Sequence, residues 1–388
     1  MNMPLSITRH ERIRSAKRFS DVDGNRIRRF PRRPCSIFCT ATRSKMGLGS
    51  ILLLGLAALI ASVLETSLLA QAGPVSSEVF PAHYRLVREQ RYPGMCDASG
   101  AVPITPNTFA VACDEDNVLR VYRNDAPAQP IKELDCNAFL GVRGKSLEAD
   151  LEAAARIGDR IFWMGSHGRN RRGKERQNRD RFFATDIRTN GADMDLILVG
   201  RPYERLVDDL VEDSRLEKFH FGEASRYAPK EWAALNIEGL ASTQQGGLLI
   251  GFRNPIPQNK ALIIPMLNPN EVVQGEQARL GAPILLDLGG LGIRDIAFYA
   301  GSYLIIAGSY DGSRDFRLYR WAGGEAIPER IRVKHLNDYH PEALIIYPDK
   351  GAQQVQVLSD DGTLKINGMP CKETPVELRG FRSFWLTQ

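Results

Sequence analysis

Acidic residues recur along this chain, each at the start of a short apolar run, and their type suits the binding of a hard cation. Glu152, Glu238, Asp295 and Glu342 each lead such a run, and a turn and a second apolar segment follow. Several carboxylates that converge on one point are ligands that Ca²⁺ prefers. We therefore predict a calcium site formed by these four residues. The alternative is that each carboxylate accepts backbone N–H bonds and fixes one repeat to the next.

Polar residues follow the second apolar segments and supply groups for binding an anion and moving a proton. Arg169, Arg253 and Arg294, with Asn254, are the predicted substrate-binding residues, because guanidinium groups hold phosphate or carboxylate bidentately. His167 is the predicted catalytic residue, since imidazole exchanges a proton near neutral pH. The alternatives are arginines paired with the repeated carboxylates and a loop histidine bonded to a neighbouring repeat.

The segment 169–181 is densely basic and predicts an exposed hairpin loop. Its cations are Arg169, Arg171, Arg172, Lys174, Arg176, Arg179 and Arg181. A solvated loop is one interpretation, and attraction of an anionic ligand is the other. Ser166 is not flanked by the Gly-x-Ser-x-Gly motif, which excludes a serine hydrolase of that type.

The repeat predicts an all-β protein, a β-propeller of five or six four-stranded blades. Acidic positions 97, 152, 238, 295 and 342 lie 55, 86, 57 and 47 residues apart, which fits propeller blades. One short helical insertion over Glu204–Lys218 occupies the longest interval, and it leaves the blade number open. A pair of β-sandwiches is the structural alternative. Because consecutive strands run antiparallel, the candidate residues are expected at one mouth of the central channel.

The N-terminal region predicts an exported protein. Residues 51–63 are apolar, follow Arg43 and Lys45, and precede the small-residue pattern of 69–72. We interpret 1–45 as a basic leader that need not be translated, 46–72 as a signal peptide that begins at Met46, and 73–388 as a single propeller domain. The predicted location is secreted or periplasmic. An uncleaved membrane anchor is the alternative, although the apolar run is shorter than the roughly 20 residues of a membrane helix.

The net charge limits the classes of partner that this chain can bind, and the cysteine content limits its possible disulfides. The chain has 51 basic and 46 acidic residues, and 1–72 hold 12 and 4 of them, so 73–388 carry 39 against 42, a net charge of −3. That balance argues against a nucleic-acid partner, and we predict a monomer with no membrane contact after cleavage. The predicted partner is a small anionic ligand or a component of the cell envelope. Cys96, Cys113, Cys136 and Cys371 allow up to two disulfides or none, and one arrangement joins the two ends through Cys96 and Cys371.

Several phrases carry a family resemblance. They are Cys96-Asp-Ala-Ser-Gly-Ala101, 114–122, Asp150-Leu-Glu152, Gly165-Ser-His-Gly-Arg-Asn170, Asn236-Ile-Glu-Gly-Leu-Ala241 and 287–295. Together they resemble a bacterial family catalogued as domain of unknown function 3616, over about residues 90 to 350. The Glu-Gly-Leu-Ala element at 238–241 is also similar to one in exported propellers grouped as esterase-like or phytase-like. The resemblance implies an exported propeller and assigns no activity.

Two functions follow from these residues. The first is a metal-assisted, calcium-type hydrolase of a phosphoester or similar anionic ester, in which the ion activates a water, the arginines hold the anion and His167 transfers the proton. The second is a non-catalytic propeller that binds a ligand or protein of the cell envelope. A hydrolase needs carboxylates that face one point with open coordination. In a binding protein they would be occupied by arginines and backbone amides.

Overall fold

The computed structural model describes residues 79–191 and 193–388, and these form mostly β-strands. The predicted leader 1–45 and signal peptide 46–72, with Met46, lie outside the described residues. Within the described part of the chain, no helix is both long and apolar enough to cross a bilayer.

The elements follow one another in short segments joined by turns. The strands are β1 (His83–Pro93), β2 (Ala98–Thr105), β3 (Thr108–Cys113), β4 (Val118–Arg123), β5 (Lys132–Asp135), β6 (Leu151–Ile157), β7 (Arg160–Gly165), β8 (Phe182–Asn190), β9 (Asp193–Tyr203), β10 (Asn236–Ser242), β11 (Leu248–Asn254), β12 (Ala261–Met266), β13 (Ile284–Leu286), β14 (Gly292–Tyr299), β15 (Ser302–Gly308), β16 (Phe316–Trp321), β17 (Glu329–Val333), β18 (Pro341–Ile346), β19 (Gln354–Ser359), β20 (Lys365–Ile366), β21 (Met369–Pro370) and β22 (Gly380–Thr387). The α-helices are α1 (Asn137–Leu140), α2 (Leu206–Glu212), α3 (Phe221–Ala224) and α4 (Pro269–Val272). Short 3₁₀ segments are Gln177–Arg179, Ser214–Phe219, Pro257–Asn259, Leu336–Asp338, Gly351–Gln353, Cys371–Glu373 and Val376–Leu378.

The strands pair with their neighbours in sequence, as the turn-bounded apolar runs predict. Three sheets have four strands each, in the orders β2-β3-β4-β5, β6-β7-β8-β9 and β10-β11-β12-β13. An eight-stranded sheet has the order β14-β15-β16-β17-β1-β22-β19-β18, and β20 pairs with β21. Strand β1 lies parallel to β17 and antiparallel to β22. The N-terminal strand therefore joins the fourth group of strands to the last one.

The first strands of the successive groups surround a central channel. β2 contacts β6, β6 contacts β10, β10 contacts β14, β14 contacts β18, and β18 contacts β2, which closes a ring. Their buried aliphatic residues pack against the neighbouring group, because each strand is buried on both faces near the axis. The arrangement is propeller-like, and it positions every loop that follows a second strand at the same face as the start of a first strand.

The predicted insertion at Glu204–Lys218 is helical, and the helical segment extends beyond it. Helix α2, the turn Ser214–Phe219 and α3 fill the space between β9 and β10. Leu206, Leu210, Leu216 and Phe221 are buried there, in the same cluster as Phe252 of β11. The spacing of these apolar residues produces one buried face, which holds the insertion against the sheets.

One disulfide joins the two ends of the described chain. Cys96, just before β2, is bonded to Cys371, with Cα atoms 5.9 Å apart, a separation typical of disulfides. Cys113 and Cys136 are buried free thiols. The structure thus selects the arrangement in which a single bridge links the ends.

Candidate functional site

A β-bulge near the start of a first strand recurs at the mouth of the channel. The strand register shifts around Glu152, Glu238, Arg294 and Glu342, one in each of β6, β10, β14 and β18. A bulge changes the direction of one side chain relative to the regular alternation of the strand. Three of the four predicted metal ligands occupy this repeated position, whereas in β14 it is held by an arginine.

Arg294 links two of the predicted carboxylates. Its Nη1 lies 2.9 Å from Oε2 of Glu238, and its Nη2 donates to Oε1 of Glu342. Arg253 Nη1 also donates to Glu238 Oε1 at 2.8 Å, and so does the amide of Asn236, at 2.7 Å. Arg294, Glu238 and Glu342 are only 8, 2 and 6 % exposed. Both oxygens of Glu238 therefore face a guanidinium group.

Asp295 does not lie with these groups, although its repeat position predicts that it should. Its Oδ2 accepts the backbone N–H of Leu344 in β18, at 2.6 Å. Burial raises the pKa of this carboxyl to about 8, and its bonds to backbone N–H groups oppose the rise. Arg294 occupies the bulge position, so Asp295 lies one residue further along β14. Its bond to Leu344 connects β14 to β18, the first strand of the next group.

Glu152 lies at the bulge of β6 and accepts a hydrogen bond from Ser99 Oγ at 3.2 Å. Burial raises its pKa well above the ordinary value, and the neighbouring carboxylates of Asp150 and Glu238 raise it further. The environment therefore favours the neutral form of this carboxyl.

His167 is a buried loop residue with a left-handed backbone conformation, φ 53°. Its Nδ1 lies 2.8 Å from the carbonyl oxygen of Gly165, so this nitrogen carries the proton and donates it. Burial, with a smaller contribution from the nearby charge of Arg181, lowers the pKa of the imidazole to about 4, although the bond to Gly165 opposes this shift. His167 is thus neutral at neutral pH. The imidazole thus bonds to the end of β7 in its own repeat, and not to a neighbouring repeat as the alternative interpretation expected.

Arg169 and Asn254 bind backbone carbonyl groups of the insertion. Arg169 Nε donates to Ser225 O at 2.8 Å. Asn254 Nδ2 donates to Pro229 O at 2.9 Å and to Glu231 O at 2.6 Å. These two predicted substrate-binding residues therefore brace the segment that precedes β10.

A second acidic group lies at the same mouth and was not among the predicted ligands. Carboxylate oxygens of Asp97, Asp114 and Glu115 lie within 4.8 Å of one another. Burial and the adjacent Asp360 raise the pKa of Asp97 to about 8. Lys372 Nζ bonds to Glu115 and lies 3.8 Å from Asp97. Asp97 directly follows Cys96, and Lys372 directly follows Cys371. A bridge between these two cysteines is therefore the sequence feature that could have predicted that Asp97 and Lys372 lie close together.

The predicted basic loop follows β7 and lies at the mouth. Arg179 forms ion pairs with Glu148 and with Asp150, and Arg181 pairs with Glu204. Three further cations of this loop are exposed, and within the described residues they have no carboxylate within 4 Å. They are Arg171, Arg172 and Lys174.

Replacing Asp295 by asparagine is expected to reduce the pH dependence of folding stability. The folded carboxyl keeps its proton up to about pH 8, whereas the unfolded one ionises near the ordinary value of 3.8. The folded state therefore binds more protons between these values, and stability falls as the pH rises through that window. Urea unfolding near pH 5 and near pH 8 measures the difference, and we expect it to shrink in Asp295→Asn but to persist in the exposed control Asp349→Asn. Equal slopes in the wild type and Asp295→Asn would contradict the raised pKa.

Comparison with known proteins supports the family resemblance and assigns no activity. The model of the family described as "Protein of unknown function (DUF3616)" matches residues 195–351. The resemblance predicted over 90–350 is confirmed for that segment, and the phrases before residue 195 lie outside it. No curated protein matches the sequence.

Several solved structures resemble this chain at low sequence identity. Glutaminyl cyclase from Myxococcus xanthus is 11 % identical, with a TM-score of 0.43, over 79 % of this chain and 100 % of that one. A putative oxidoreductase (glucose dehydrogenase) from Thermus thermophilus is 13 % identical, with a TM-score of 0.40, over 77 % and 99 %. A gluconolactonase from Xanthomonas campestris is 15 % identical, with a TM-score of 0.36, over 78 % and 90 %.

Proposed function

We propose that this protein, whose residues 195–351 match the DUF3616 family, is an exported five-bladed propeller that binds an anionic component of the cell envelope without hydrolysing it. The observation that carries this proposal is the occupation of the predicted metal ligands by protein groups. Glu238 and Glu342 face arginines, and Asp295 accepts a backbone N–H. Carboxylates engaged in this way stabilise the ring of first strands, because buried charges require partners.

The pairing of the strands supports the proposed number of five blades. β2–β5, β6–β9, β10–β13 and β14–β17 supply four blades, and β18, β19, β22 and β1 supply the fifth. The last blade takes its outermost strand from the N-terminus and the other three from the C-terminal part of the chain. Pairing of strands from both ends of the described chain in the last blade would close the ring, and a propeller leaves only short, protected edges.

The exposed cations of the loop after β7 support an anionic ligand. Arg171, Arg172 and Lys174 lie at the mouth, while neighbouring arginines of the same loop are held by carboxylates. A cluster of one sign of charge raises the local concentration of ligands of the opposite sign. Positive charge is thus concentrated in the loop after β7, although residues 73–388 carry a net charge of −3.

The disulfide supports the proposed export. Disulfides persist in oxidising compartments and are rare in the cytosol, and the Cys96–Cys371 bridge closes the described chain. We therefore propose a secreted or periplasmic monomer, released by cleavage of the predicted signal peptide 46–72. This assignment is independent of the ligand.

Removing the exposed cations is expected to weaken the binding of a polyanion about tenfold. The variant Arg171→Gln/Arg172→Gln/Lys174→Gln would be titrated with inorganic polyphosphate at low salt by isothermal calorimetry. The matched control, Arg330→Gln/Arg332→Gln/Lys334→Gln, removes three exposed charges on and beside the outer strand β17 and should bind like the wild type. Equal weakening in both variants would show a net-charge effect and contradict a site at the mouth.

The same samples test the hydrolase. We expect no phosphate release from polyphosphate and no calcium-dependent turnover of p-nitrophenyl phosphate. Turnover that requires calcium and disappears in Glu238→Gln would overturn the binding proposal and restore Glu238 as a metal ligand. Bound calcium that is lost in Asp97→Asn but kept in Glu238→Gln would place the ion at the second acidic group instead.

A further inference from the structure

A cavity lies between the helical insertion and the loop after β11. It has a volume of about 520 Å³ and is lined by residues of Lys218–Trp232 and of Pro255–Gln258. Three aromatic side chains, Phe219, Tyr227 and Trp232, contribute to its wall. Cavities of this size that combine apolar walls with a few polar groups are typical of small-molecule sites.

Trp232 is distinctive among the tryptophans of the chain. Its side chain is 62 % exposed, whereas Trp163, Trp321 and Trp385 are at most 4 % exposed. Leaving an indole in water forgoes roughly 2 kcal/mol of burial free energy. Exposed tryptophan beside a cavity is characteristic of recognition surfaces, since one ring supplies a large rigid contact area.

The polar groups of the cavity offer both acceptors and donors. Glu223 accepts a bond from Tyr227 Oη at 2.6 Å, and Glu231 accepts the backbone N–H of Ala228 at 3.0 Å. In each case the bond occupies only one carboxylate oxygen. Lys218 and His220 lie in the same wall and supply donors. The wall therefore combines two carboxylates with one ammonium group and one imidazole.

The cavity is held in shape by polar and aromatic contacts from β11 and from the loop after β7. Asn254 donates to the carbonyl groups of Pro229 and Glu231, on the approach to Trp232. Arg169 holds Ser225 in the same segment. Phe221 packs on Phe252 of β11, with ring centroids 5.4 Å apart. Such fixing lowers the conformational cost of binding.

We propose that this cavity is a saccharide site. A neutral sugar ring has an apolar face that stacks on Trp232, and its hydroxyl groups donate to Glu223 and Glu231 while accepting from Lys218 or His220. Hydrogen-bond acceptors and donors beside an exposed aromatic ring match a neutral polyhydroxylated ligand, which needs both. Arg171, Arg172 and Lys174 do not line this cavity, so the saccharide proposal does not depend on the anionic ligand proposed for the mouth.

Quenching of tryptophan fluorescence tests the site directly, because only Trp232 is open to solvent. Cellotriose, maltotriose and triacetylchitotriose, which are all neutral, would each be titrated in the presence of acrylamide. At least one is expected to protect Trp232, with a Kd of about 1 mM or below. Sorbitol, which has no ring face, and choline, which tests a cation, serve as comparison ligands. Protection by choline alone would overturn the saccharide proposal, and so would protection by none at about 10 mM.

Calorimetry with variants locates the binding. Trp232→Ala is expected to weaken binding of the protecting trisaccharide at least about tenfold, as loss of a central aromatic contact does. Glu231→Gln keeps an acceptor for Ala228 and should weaken it less. Leu267→Ala, which is exposed and outside the cavity, is the control and should bind normally. The triple variant of Arg171, Arg172 and Lys174 should also bind normally, which separates failure of this proposal from failure of the anionic site.

Discussion

Replacing Arg294 by methionine is expected to destabilise the protein by about 3–5 kcal/mol. The variant would leave the carboxylates of Glu238 and Glu342 buried at the mouth without their shared partner. Burial lowers the pKa of Arg294, because the charged form is costly to hold in the interior. Removing one member of a buried ionic group nevertheless destabilises a protein by more than the intact group stabilises it. The cost arises because the remaining charges cannot be solvated.

Urea unfolding monitored by far-UV circular dichroism measures this effect. Arg123→Met removes an exposed ion pair with Asp125 and should cost less than about 1 kcal/mol. The triple variant Arg294→Met/Glu238→Gln/Glu342→Gln removes the charges together and should recover a large part of the lost stability. A small cost for Arg294→Met, equal to that of the control, would show that the mouth is open to water and that its carboxylates can accept other ligands.

Removing the disulfide is expected to cost about 5 kcal/mol in the Cys96→Ala/Cys371→Ala variant, because a long cross-linked loop restricts the unfolded chain strongly. The bridge spans 275 residues. It also ties β2 to the segment before β22, so it joins the first blade to the last one where the ring closes. Loss of the bridge therefore acts at the point where both termini must meet.

The measurement compares unfolding midpoints with and without a reductant. The reductant should lower the midpoint of the wild type to that of the double variant and leave the variant unchanged. Cys136→Ala is the control, since Cys136 is a buried free thiol, and its midpoint should still respond to the reductant. A wild-type midpoint that does not respond under conditions shown to cleave the bridge would contradict the role of the disulfide in closure.

The sequence alone determined the architecture to a useful degree. Apolar runs of strand length, separated by turn residues and repeated at blade-like intervals, predict antiparallel sheets and one helical insertion, because these patterns depend on local periodicity. The antiparallel order also predicts that Glu152, Glu238 and Glu342 share a face with Arg253. These inferences need no knowledge of which distant residues meet.

The tertiary structure alone decided the chemistry of that face. A bulge in β14 places Arg294 where the repeat predicts Asp295, and a shift of one residue in a strand reverses the side on which a side chain lies. Arg294 then meets Glu238 and Glu342, partners 56 and 48 residues away in the chain. Asn254 and Arg169 also have partners that are distant in the sequence, the carbonyl groups of the insertion. Pairings between distant residues depend on how the blades close into a ring, and no local pattern specifies them.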